Sequence, residues 1–323
     1  MRHRDVLVVG GAGFVGRHVV AALAARGIGV TVPTRRRERA RHLLLLPTVD
    51  VVETDVGRPG ELERLAQGHD AAVFLPGILH SRRGRADERG PHDYGPDFAR
   101  VHVELAQALV NACHAAGVKR LLHMSALGAD PGAPSEYLRS KAIGERAALA
   151  AEDLAVTVFQ PSVIFGPEDS FLNLFAKLAR FLPVLAVPCP EAQFQPVFVR
   201  DVAQAFALAL DAHESVGRRY RLGGPRRYTM RELVRTVCEL TDRRRLVLGL
   251  GPRLSSLQAR LMELSPWPLL TRDNLRSMQL PSVCDERLPF GLEATSLEAA
   301  APAWLAPAGL HGRFPDLRSH ARR

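Results

Sequence analysis

The sequence predicts an α/β protein with a doubly wound parallel sheet and a smaller C-terminal α/β region. Two observations carry this prediction. Over residues 5–165, short aliphatic runs alternate with stretches whose apolar residues recur at helical spacing. This alternation is typical of strand–helix–strand units, which build parallel sheets with right-handed crossovers. Beyond Phe165 the alternation stops, and prolines follow at positions 167, 183, 188, 190 and 196.

The individual elements can be placed from the same patterns. Strands are predicted at 6–9, 29–32, 49–53, 71–75, 120–124 and 155–159, and helices between them at 14–25, 61–66, 98–116 and 135–151. In the C-terminal region we expect helices at 171–181, 202–210, 230–241, 253–264 and 272–278, and brief strands at 219–222 and 246–249. Asp201 is the expected N-cap of the helix that starts at 202.

The first predicted turn has the composition of a dinucleotide-binding loop. It follows a run of four aliphatic residues and opens a helix. Its glycines let the backbone turn sharply and approach a ligand, and N–H groups at a helix N-terminus bind a pyrophosphate. A glycine-rich turn that binds nothing is the alternative. The residues expected at the cofactor are Gly10, Gly13, Phe14, Val15 and Gly16.

These patterns suggest two parts of the chain. Residues 1–165 form the expected dinucleotide-binding domain, and residues 195–215 return to it. Residues 166–194 and 216–323 form the smaller substrate region. The apolar stripe of the helix at 171–181 indicates packing beneath this region, although an apolar substrate wall or a membrane-surface contact has the same pattern.

Composition excludes several classes of protein. The four cysteines, at 113, 189, 238 and 284, are too far apart for a metal or redox pair, so we expect no metal site and a cytoplasmic protein. No apolar run approaches the ~20 residues of a membrane-spanning helix. The net charge of +9 comes from scattered arginines, and only three residues are lysines. Without a recognition helix or interleaved aromatics, we expect no nucleic-acid partner.

The end of the second strand favours NADP(H) over NAD(H). In the NAD form of this fold an acidic residue about 20 positions after the glycines binds the ribose 2′-hydroxyl. Here that position holds Arg35 and Arg36, and a guanidinium can bind a 2′-phosphate through two hydrogen bonds. A solvated arginine run is the alternative. Asp55 and Val56, after the third strand, are expected at the adenine, with a turn aspartate as the alternative.

Tyr137 and Lys141 form a candidate catalytic pair. Four residues apart on a helix, they share one face, and an ammonium beside a phenol favours the phenolate. Tyr137 is therefore a candidate acid/base, with Lys141 lowering its pKa and holding the nicotinamide ribose. Ser125, just past the fifth strand, could hydrogen-bond a substrate carbonyl; a loop hydroxyl is the alternative.

The chain resembles the extended short-chain dehydrogenases/reductases of the epimerase/dehydratase superfamily. The glycine loop, Asp55-Val56, Ser125, Tyr137-x-x-x-Lys141 and the run Pro161–Pro167 occur in that family's order. A closer resemblance is to the NADPH-binding accessory subunits of respiratory complex I and their bacterial relatives. It is carried by the segments 124–130, 137–145, 164–176, 195–203 and 268–275, and most of residues 5 to 305 is covered.

The resemblance implies a Rossmann fold with a nicotinamide nucleotide. It adds Leu75, Pro76, Gly77, Pro161 and Val163 to the expected cofactor contacts, although the family's usual residues after the fourth strand are absent. Gln160 also stands where the family usually has arginine. The missing Val-Tyr-Gly run and the short spacing from Ser125 to Tyr137 argue against a sugar-nucleotide substrate.

Two functional hypotheses follow. The first is an NADP(H)-dependent oxidoreductase or epimerase/dehydratase-like enzyme acting on an unknown apolar or quinone-like small molecule. The second is a non-catalytic NADP(H)-binding accessory or assembly subunit of a respiratory complex, peripheral at the inner membrane face. A regulator that senses the NADP(H) ratio is a third. The resemblance implies that the accessory subunits also keep the tyrosine and lysine, so this pair alone does not separate the hypotheses.

Overall fold

The computed structural model describes residues 3–82, 92–265 and 268–306. The strands are β1 (Asp5–Val9), β2 (Gly29–Thr34), β3 (Val49–Glu53), β4 (Ala71–Phe74), β5 (Arg120–Met124), β6 (Ala155–Pro161), β7 (Ile164–Phe165), β8 (Val184–Pro188), β9 (Gln193–Phe194), β10 (Val197–Phe198), β11 (Arg219–Leu222), β12 (Tyr228–Thr229) and β13 (Leu246–Leu250). Residues 307–323, part of the expected C-terminal region, lie outside the described residues.

Each of the nine predicted helices has a counterpart in the structure, and α11 and α12 are additional. They are α1 (Phe14–Ala24), α2 (Glu61–Ala66), α3 (Pro96–Phe98), α4 (Leu105–Ala116), α5 (Glu136–Leu149), α6 (Leu172–Phe181), α7 (Val199–Ala209), α8 (Met230–Leu240), α9 (Pro252–Met262), α10 (Arg272–Ser277), α11 (Leu297–Ala300) and α12 (Pro302–Leu305). A π-helical stretch, Ala99–Glu104, joins α3 to α4. Such stretches are rare and occur frequently at functional sites.

Seven parallel strands form the central sheet, in the order β11-β6-β5-β4-β1-β2-β3. The chain proceeds outward from β1 to β3, then crosses back to β4 and proceeds in the other direction. The strand order therefore reverses between β1 and β4, and ligands of such sheets bind beyond the carboxyl ends of the strands at this point. The predicted doubly wound α/β fold is confirmed.

The central strands are buried on both faces, which explains their continuous aliphatic sequences. In β1, Val6 and Val8 face a core shared with α1 and α7, whereas Leu7 and Val9 face a core shared with α2 and α4. All four side chains are at most 1% exposed. This double burial fixes β1 rigidly, and with it the start of the loop that follows.

The sheet extends past residue 215, the end that the sequence suggested for the returning segment. The seventh strand, β11, pairs in parallel with β6. Buried Arg120 stabilises this edge by donating to Ala209 O (2.6 Å), Thr157 Oγ1 (2.8 Å) and Ser215 Oγ (2.8 Å). Its guanidinium thereby joins β6, α7 and the turn before β11.

A third core lies outside the central sheet. It contains buried side chains from α6, α8 and three two-stranded pairings, β7–β10, β9–β12 and β8–β13. Three residues of the apolar stripe of α6, Phe171, Phe175 and Leu178, pack partly buried against this core, as the packing interpretation expects. Leu174 is half-buried outside this cluster, and Phe181, the last residue of the stripe, is 77% exposed.

The start of α7 differs from the prediction. The helix begins at Val199 and its N-cap is Phe198, so the assignment of Asp201 as N-cap is wrong. The Asp201 carboxylate instead accepts hydrogen bonds from the backbone N–H (2.7 Å) and hydroxyl (3.0 Å) of Thr295. Asp201 thus attaches the segment before α11 to the sheet layer. Across the described ranges, no helix is long and apolar enough to cross a membrane.

Candidate functional site

The loop after β1 is built so that its glycines cannot carry side chains. Gly10 has a φ of +84°, and a Cβ there would lie 3.1 Å from the nitrogen of Pro76. A Cβ on Gly16 would lie 2.2 Å from the carbonyl oxygen of Gly10. Gly13 is the N-cap of α1 and makes no side-chain cap hydrogen bond. The first N–H groups of α1 therefore have no capping side chain, as an anion-binding helix start requires.

The loops after β1 and β4 meet at the reversal of strand order. The nitrogen of Leu75 donates to the carbonyl of Val9 at 3.0 Å, which continues the strand pairing one residue beyond β4. Gly77 follows as an exposed residue. The structure thus brings the expected cofactor residues of these two loops together at the crevice.

The candidate 2′-phosphate residues follow β2, which neighbours β1 on the side away from β4. Arg35 and Arg36 follow β2 and are exposed. The side chains of Arg35 and Arg36 form no ion pair with a carboxylate in the described part of the chain. The β2–β3 register pairs Thr34 with Glu53, whose side chain is exposed. Sequence reasoning missed this carboxylate because it lies on the neighbouring strand.

Asp55 has the contacts of a turn residue. Its Oδ1 accepts the backbone N–H of Gly57 at 3.0 Å, and its carbonyl accepts the N–H of Arg58 at 3.0 Å. Asp55 and Val56 are both half-buried, next to the end of β3. Both alternatives, the turn and the adenine contact, are compatible with this position.

Lys141 is 3% exposed and reaches across the sheet ends. Its ammonium donates to the carbonyl of Met124 at 2.7 Å and to that of Pro76 at 3.5 Å. Burial lowers the pKa of Lys141 to about 8, although nearby Glu145 acts in the opposite direction. Lys141 thus connects the end of β5, where Ser125 lies, with the loop that contacts Gly10.

The Tyr137 side chain is surrounded by aromatic and imidazole rings. The His102 ring lies edge-on to it at 5.6 Å between centroids, and the Phe98 ring at 6.1 Å. Burial raises the pKa of Tyr137 to about 12. The net shift is therefore opposite to the expected lowering, because desolvation of the phenol outweighs any effect of the Lys141 charge.

His102 joins the β4 loop to the helix that carries Tyr137. The N–H of Ile78 donates to His102 Nε2 at 3.1 Å, so the ring proton lies on Nδ1, which donates to Ser140 Oγ at 2.8 Å. That hydroxyl in turn donates to the carbonyl of Tyr137 at 2.8 Å. Burial holds the pKa of His102 well below its usual range, and the positive charge of Lys141 acts in the same direction to a smaller extent. The imidazole is therefore neutral, as this hydrogen-bond pattern requires.

Ser125 has a buried hydroxyl without a partner. Its side chain is 3% exposed, and its Oγ forms no hydrogen bond in the described structure. Its backbone N–H donates to Phe159 O at 2.8 Å, which fixes the residue beside β6. An unsatisfied buried hydroxyl costs about 1–3 kcal/mol, so a hydrogen bond from Ser125 to a water or a ligand atom would be favourable here.

Pro161 and Val163 lie where β6 ends, and each contributes a backbone contact. Pro161 O accepts the N–H of Leu127 at 3.0 Å, and Val163 O accepts the N–H of Val197 at 3.0 Å. Pro161 is buried and Val163 is half-buried. They connect the end of the sheet with the third core.

Asp273 is a site residue that sequence reasoning did not single out. Its carboxylate accepts the N–H groups of Glu136 (2.7 Å) and Tyr137 (3.1 Å), and so caps the first turn of α5. Negative charge at a helix N-terminus is favourable. The segment that carries Asp273 is distant in sequence, and only its place in the resembling stretch 268–275 marked it.

A cleft of about 500 Å³ opens beside the Ser125 loop. Leu280 lines it and also packs with Tyr137 against a small apolar cluster that contains Ala133. Gln160 and Arg221 add polar groups to its wall. The cleft thus adjoins the residues that surround the candidate catalytic pair.

These features fit a bound dinucleotide. The glycine loop is folded too tightly to accept a Cβ at Gly10 or Gly16, a helix N-terminus is uncapped, and a buried hydroxyl lacks a partner. All three lie at the carboxyl ends of the strands, where this class of sheet binds its nucleotide. The class defined by fold and site is therefore a Rossmann-type nucleotide-binding protein with a serine, a tyrosine and a lysine beside the cleft.

The chain belongs to the NAD dependent epimerase/dehydratase family, which it matches over residues 6–223. The match spans all seven strands of the central sheet. It supports a nicotinamide dinucleotide as the cofactor.

Similar proteins add two kinds of relative. The "NADH dehydrogenase [ubiquinone] 1 alpha subcomplex subunit 9, mitochondrial" of Mus musculus is 33% identical over 304 residues, which cover 90% of this chain and 77% of that protein. The "Ceramide reductase" of Caulobacter vibrioides is 35% identical over 199 residues, which cover 61% of this chain and 58% of that protein.

Solved structures share the fold at low identity. The UDP-glucuronic acid 4-epimerase of Bacillus cereus, determined with UDP-glucuronic acid and NAD, superposes with a TM-score of 0.66 at 17% identity. The comparison covers 93% of this chain and 98% of that one. At this identity the likeness establishes the fold alone.

Proposed function

We propose that this chain is an NADP(H)-dependent oxidoreductase acting on an apolar, carbonyl-containing substrate such as a quinone-like molecule. The observation that carries the proposal is the unpartnered hydroxyl of buried Ser125. Ser125 directly follows Met124, whose carbonyl accepts a hydrogen bond from Lys141. Lys141 lies on α5, the helix that also carries Tyr137. A carbonyl oxygen of a substrate would supply the missing hydrogen-bond partner.

The cofactor would be held mainly by backbone. Gly10, Gly13 and Gly16 would let the pyrophosphate approach the N-terminus of α1, and Phe14 and Val15 would supply N–H groups of its first turn. When bound, the nicotinamide supplies or accepts a hydride. The remaining expected contacts are Asp55, Val56, Leu75, Pro76, Gly77, Pro161 and Val163.

In this proposal Tyr137 is the proton donor and Ser125 orients the substrate oxygen. With its pKa raised to about 12, the Tyr137 hydroxyl is protonated at neutral pH and can donate. The positive charge of Lys141 would stabilise the phenolate left behind. This direction of proton flow is that of carbonyl reduction.

The preference for NADP(H) rests on Arg35 and Arg36. Both are exposed at the end of β2 and available for a 2′-phosphate. Glu53, next to Thr34 in the register, would favour a ribose hydroxyl instead. Two guanidiniums outweigh one exposed carboxylate in local charge, so we place NADP(H) first.

An apolar substrate is supported by one relative and by part of the cleft wall. Leu127, Ala133 and Leu280 line the cleft, together with the polar residues Asp130, Gln160 and Arg221. The name of the Caulobacter vibrioides relative, ceramide reductase, specifies a lipid. We also propose that the residues of the third core form the substrate region, with residues 1–165 as the nucleotide domain.

The second candidate function is a non-catalytic NADP(H)-binding subunit of a respiratory complex, peripheral to the membrane. It is favoured by the 33% identity, over 90% of this chain, to the complex subunit of Mus musculus. In this case the nucleotide would stabilise the fold while the third core contacts the partner.

The test is to purify the protein, identify its copurified nucleotide, and follow the reduced-nicotinamide absorbance with a panel of carbonyl and quinone substrates. We expect NADP(H) and turnover of an apolar member of the panel. The Tyr137→Phe variant should abolish turnover and retain the nucleotide. Tyr220→Phe, in β11, is the matched control. A turnover that Tyr137→Phe leaves intact would contradict this mechanism. A nucleotide that never turns over, in a protein that copurifies with a respiratory complex, would establish the second function.

A further inference from the structure

Exposed apolar side chains are concentrated on the third core. Of the 14 large hydrophobic residues that are exposed in the described part of the chain, ten lie between Phe181 and Leu269 in the elements α6, β8, β13 and α9 and the segments around them. Single exposed leucines are ordinary, but a contiguous group marks an interaction surface. We call the outward sides of the β8–β13 pair and of α9 the leucine face.

The β8–β13 pair has an apolar outer side. Leu246 pairs with Val184 and Leu248 with Ala186, and all four are exposed. The alternate residues, Val247 among them, are buried in the third core. An ordinary surface strand places polar residues on its solvent side. Here apolar side chains occupy both sides.

Helix α9 is also apolar on its outer side. Ser255 and Ala259 are buried, and Ser255 Oγ accepts the N–H of Cys189 at 3.3 Å beside β8. The leucines point away from this contact, with exposed fractions of 53–81%. Their spacing of three and four residues places them on one stripe. These leucines are Leu254, Leu257, Leu261 and, just after the helix, Leu264.

The leucine face has a basic border. At about 100° per residue, Arg253 and Arg260 fall next to the edge of the leucine stripe. The ranges 172–188 and 242–264 together contain seven basic and two acidic residues. One of the acidic residues, Glu263, is paired with Arg272 at 2.9 Å. The leucines of α9 are therefore flanked by two exposed arginines, and the sequence ranges around them carry an excess of positive charge.

We propose that the leucine face docks on an anionic lipid bilayer, with its leucines among the acyl chains and its arginines at the phosphates. An interfacial helix of this kind combines an apolar stripe with flanking basic residues. Charge complementarity decides against two other occupants. A second copy would bring the same positive surface. Residues 307–323, with four arginines and one aspartate, would also bring positive charge. The docking does not depend on the proposed oxidoreductase activity.

The test is flotation of the full-length protein with vesicles of phosphatidylcholine alone or with 40% phosphatidylglycerol. We expect binding to the anionic vesicles and much weaker binding to the neutral ones. The double variant Leu257→Ser, Leu261→Ser should weaken the binding by about tenfold or more. Leu44→Ser, Leu45→Ser is the matched control, since both leucines are exposed outside the leucine face. It should bind as the unmodified protein does.

A second variant examines the charge. Arg253→Gln, Arg260→Gln should weaken binding to anionic vesicles and leave the weak binding to neutral vesicles unchanged. An unmodified protein that does not float with anionic vesicles overturns the proposal. A leucine variant that floats with anionic vesicles as the unmodified protein does also overturns the proposal. A protein that is dimeric in sedimentation, and monomeric only as the leucine variant, would make the face a protein interface and also overturn it.

Discussion

The Asp273 carboxylate accepts the backbone N–H of Tyr137 at 3.1 Å, which connects α10 to the helix of the candidate catalytic pair. The same carboxylate accepts the N–H of Glu136 at 2.7 Å. Asp273 thereby provides α5 with a second cap, in addition to the Ser135 hydroxyl. The position of Tyr137 thus depends on a segment more than 130 residues further along the chain.

Replacing Asp273 should therefore loosen α5. We expect Asp273→Asn to lower the free energy of unfolding by about 1 kcal/mol, because an anionic acceptor at the helix N-terminus is lost. Urea unfolding at pH 7 measures this. Asp285→Asn is the control, since that carboxylate is 96% exposed and outside the site. Equal stabilities of the two variants would show that the cap contributes nothing.

The glycine loop makes a steric prediction. Gly16→Ala should raise the nucleotide Kd by about tenfold or more, because its Cβ would lie 2.2 Å from Gly10 O and the loop would have to move. Titration of the purified protein with the reduced nucleotide gives the Kd. Gly251→Ala is the control, since open space surrounds that position. A Gly16→Ala variant with unchanged Kd would place the nucleotide elsewhere.

The choice of nucleotide can be tested at the end of β2. Arg35→Ser should lower the preference for NADP(H) over NAD(H) by about tenfold, because a charge-assisted contact to the 2′-phosphate is lost. The dissociation constants of both nucleotides give the ratio. Arg39→Ser, on the same exposed turn, should leave it unchanged. If the unmodified protein binds NAD(H) more tightly, the assignment is wrong and Glu53 becomes the candidate ribose ligand.

The buried imidazole of His102 predicts a loss of stability in acid. Its folded pKa is held well below that of the unfolded chain, so the unfolded chain binds an additional proton as the pH falls through about 6.5. The stabilisation is complete above this pH and is lost below it. His102→Asn should remove about 1 kcal/mol of the stability change between pH 6.5 and 5.5.

Urea unfolding at several pH values measures this dependence. Burial lowers the pKa of His123 to about 3, so this residue also reduces the stability in acid. The His102→Asn variant retains that contribution. His114→Gln, at an exposed position of α4, is the control. A pH dependence unchanged by His102→Asn would mean that His102 binds its proton over the same pH range in the folded and unfolded chain.

The central sheet was predictable because its strands are encoded locally. A run such as that of β1, buried on both sides, must be aliphatic throughout. The seventh strand was predicted as a strand but not as part of this sheet. Its sequence, Arg219–Leu222, has two exposed residues because it lies at the edge, and an edge strand lacks the continuous apolar signature.

The candidate site was predictable only in part. The glycine loop and the Tyr137–Lys141 spacing are local, so their residues could be named from the sequence. Asp273 accepts a hydrogen bond from a residue that is distant in sequence. The role of His102 depends on which of its ring nitrogens accepts the N–H of Ile78. The pKa of Tyr137 was predicted in the wrong direction because helical spacing shows proximity but not desolvation. Burial is a property of the folded packing.

The order of α7 and β11 along the chain has a consequence for how this molecule can be divided. The chain leaves the sheet after β6, returns for α7 and β11, and leaves again. It returns a second time where Leu288, Phe290 and Leu292 pack against the core of the sheet, before α11 rejoins the third core. Five covalent connections therefore join the third core to the sheet layer. No single cut separates them, and neither part is encoded by one uninterrupted stretch of gene. Stop codons after β11 would leave α6 and β8 without their partners α8 and β13.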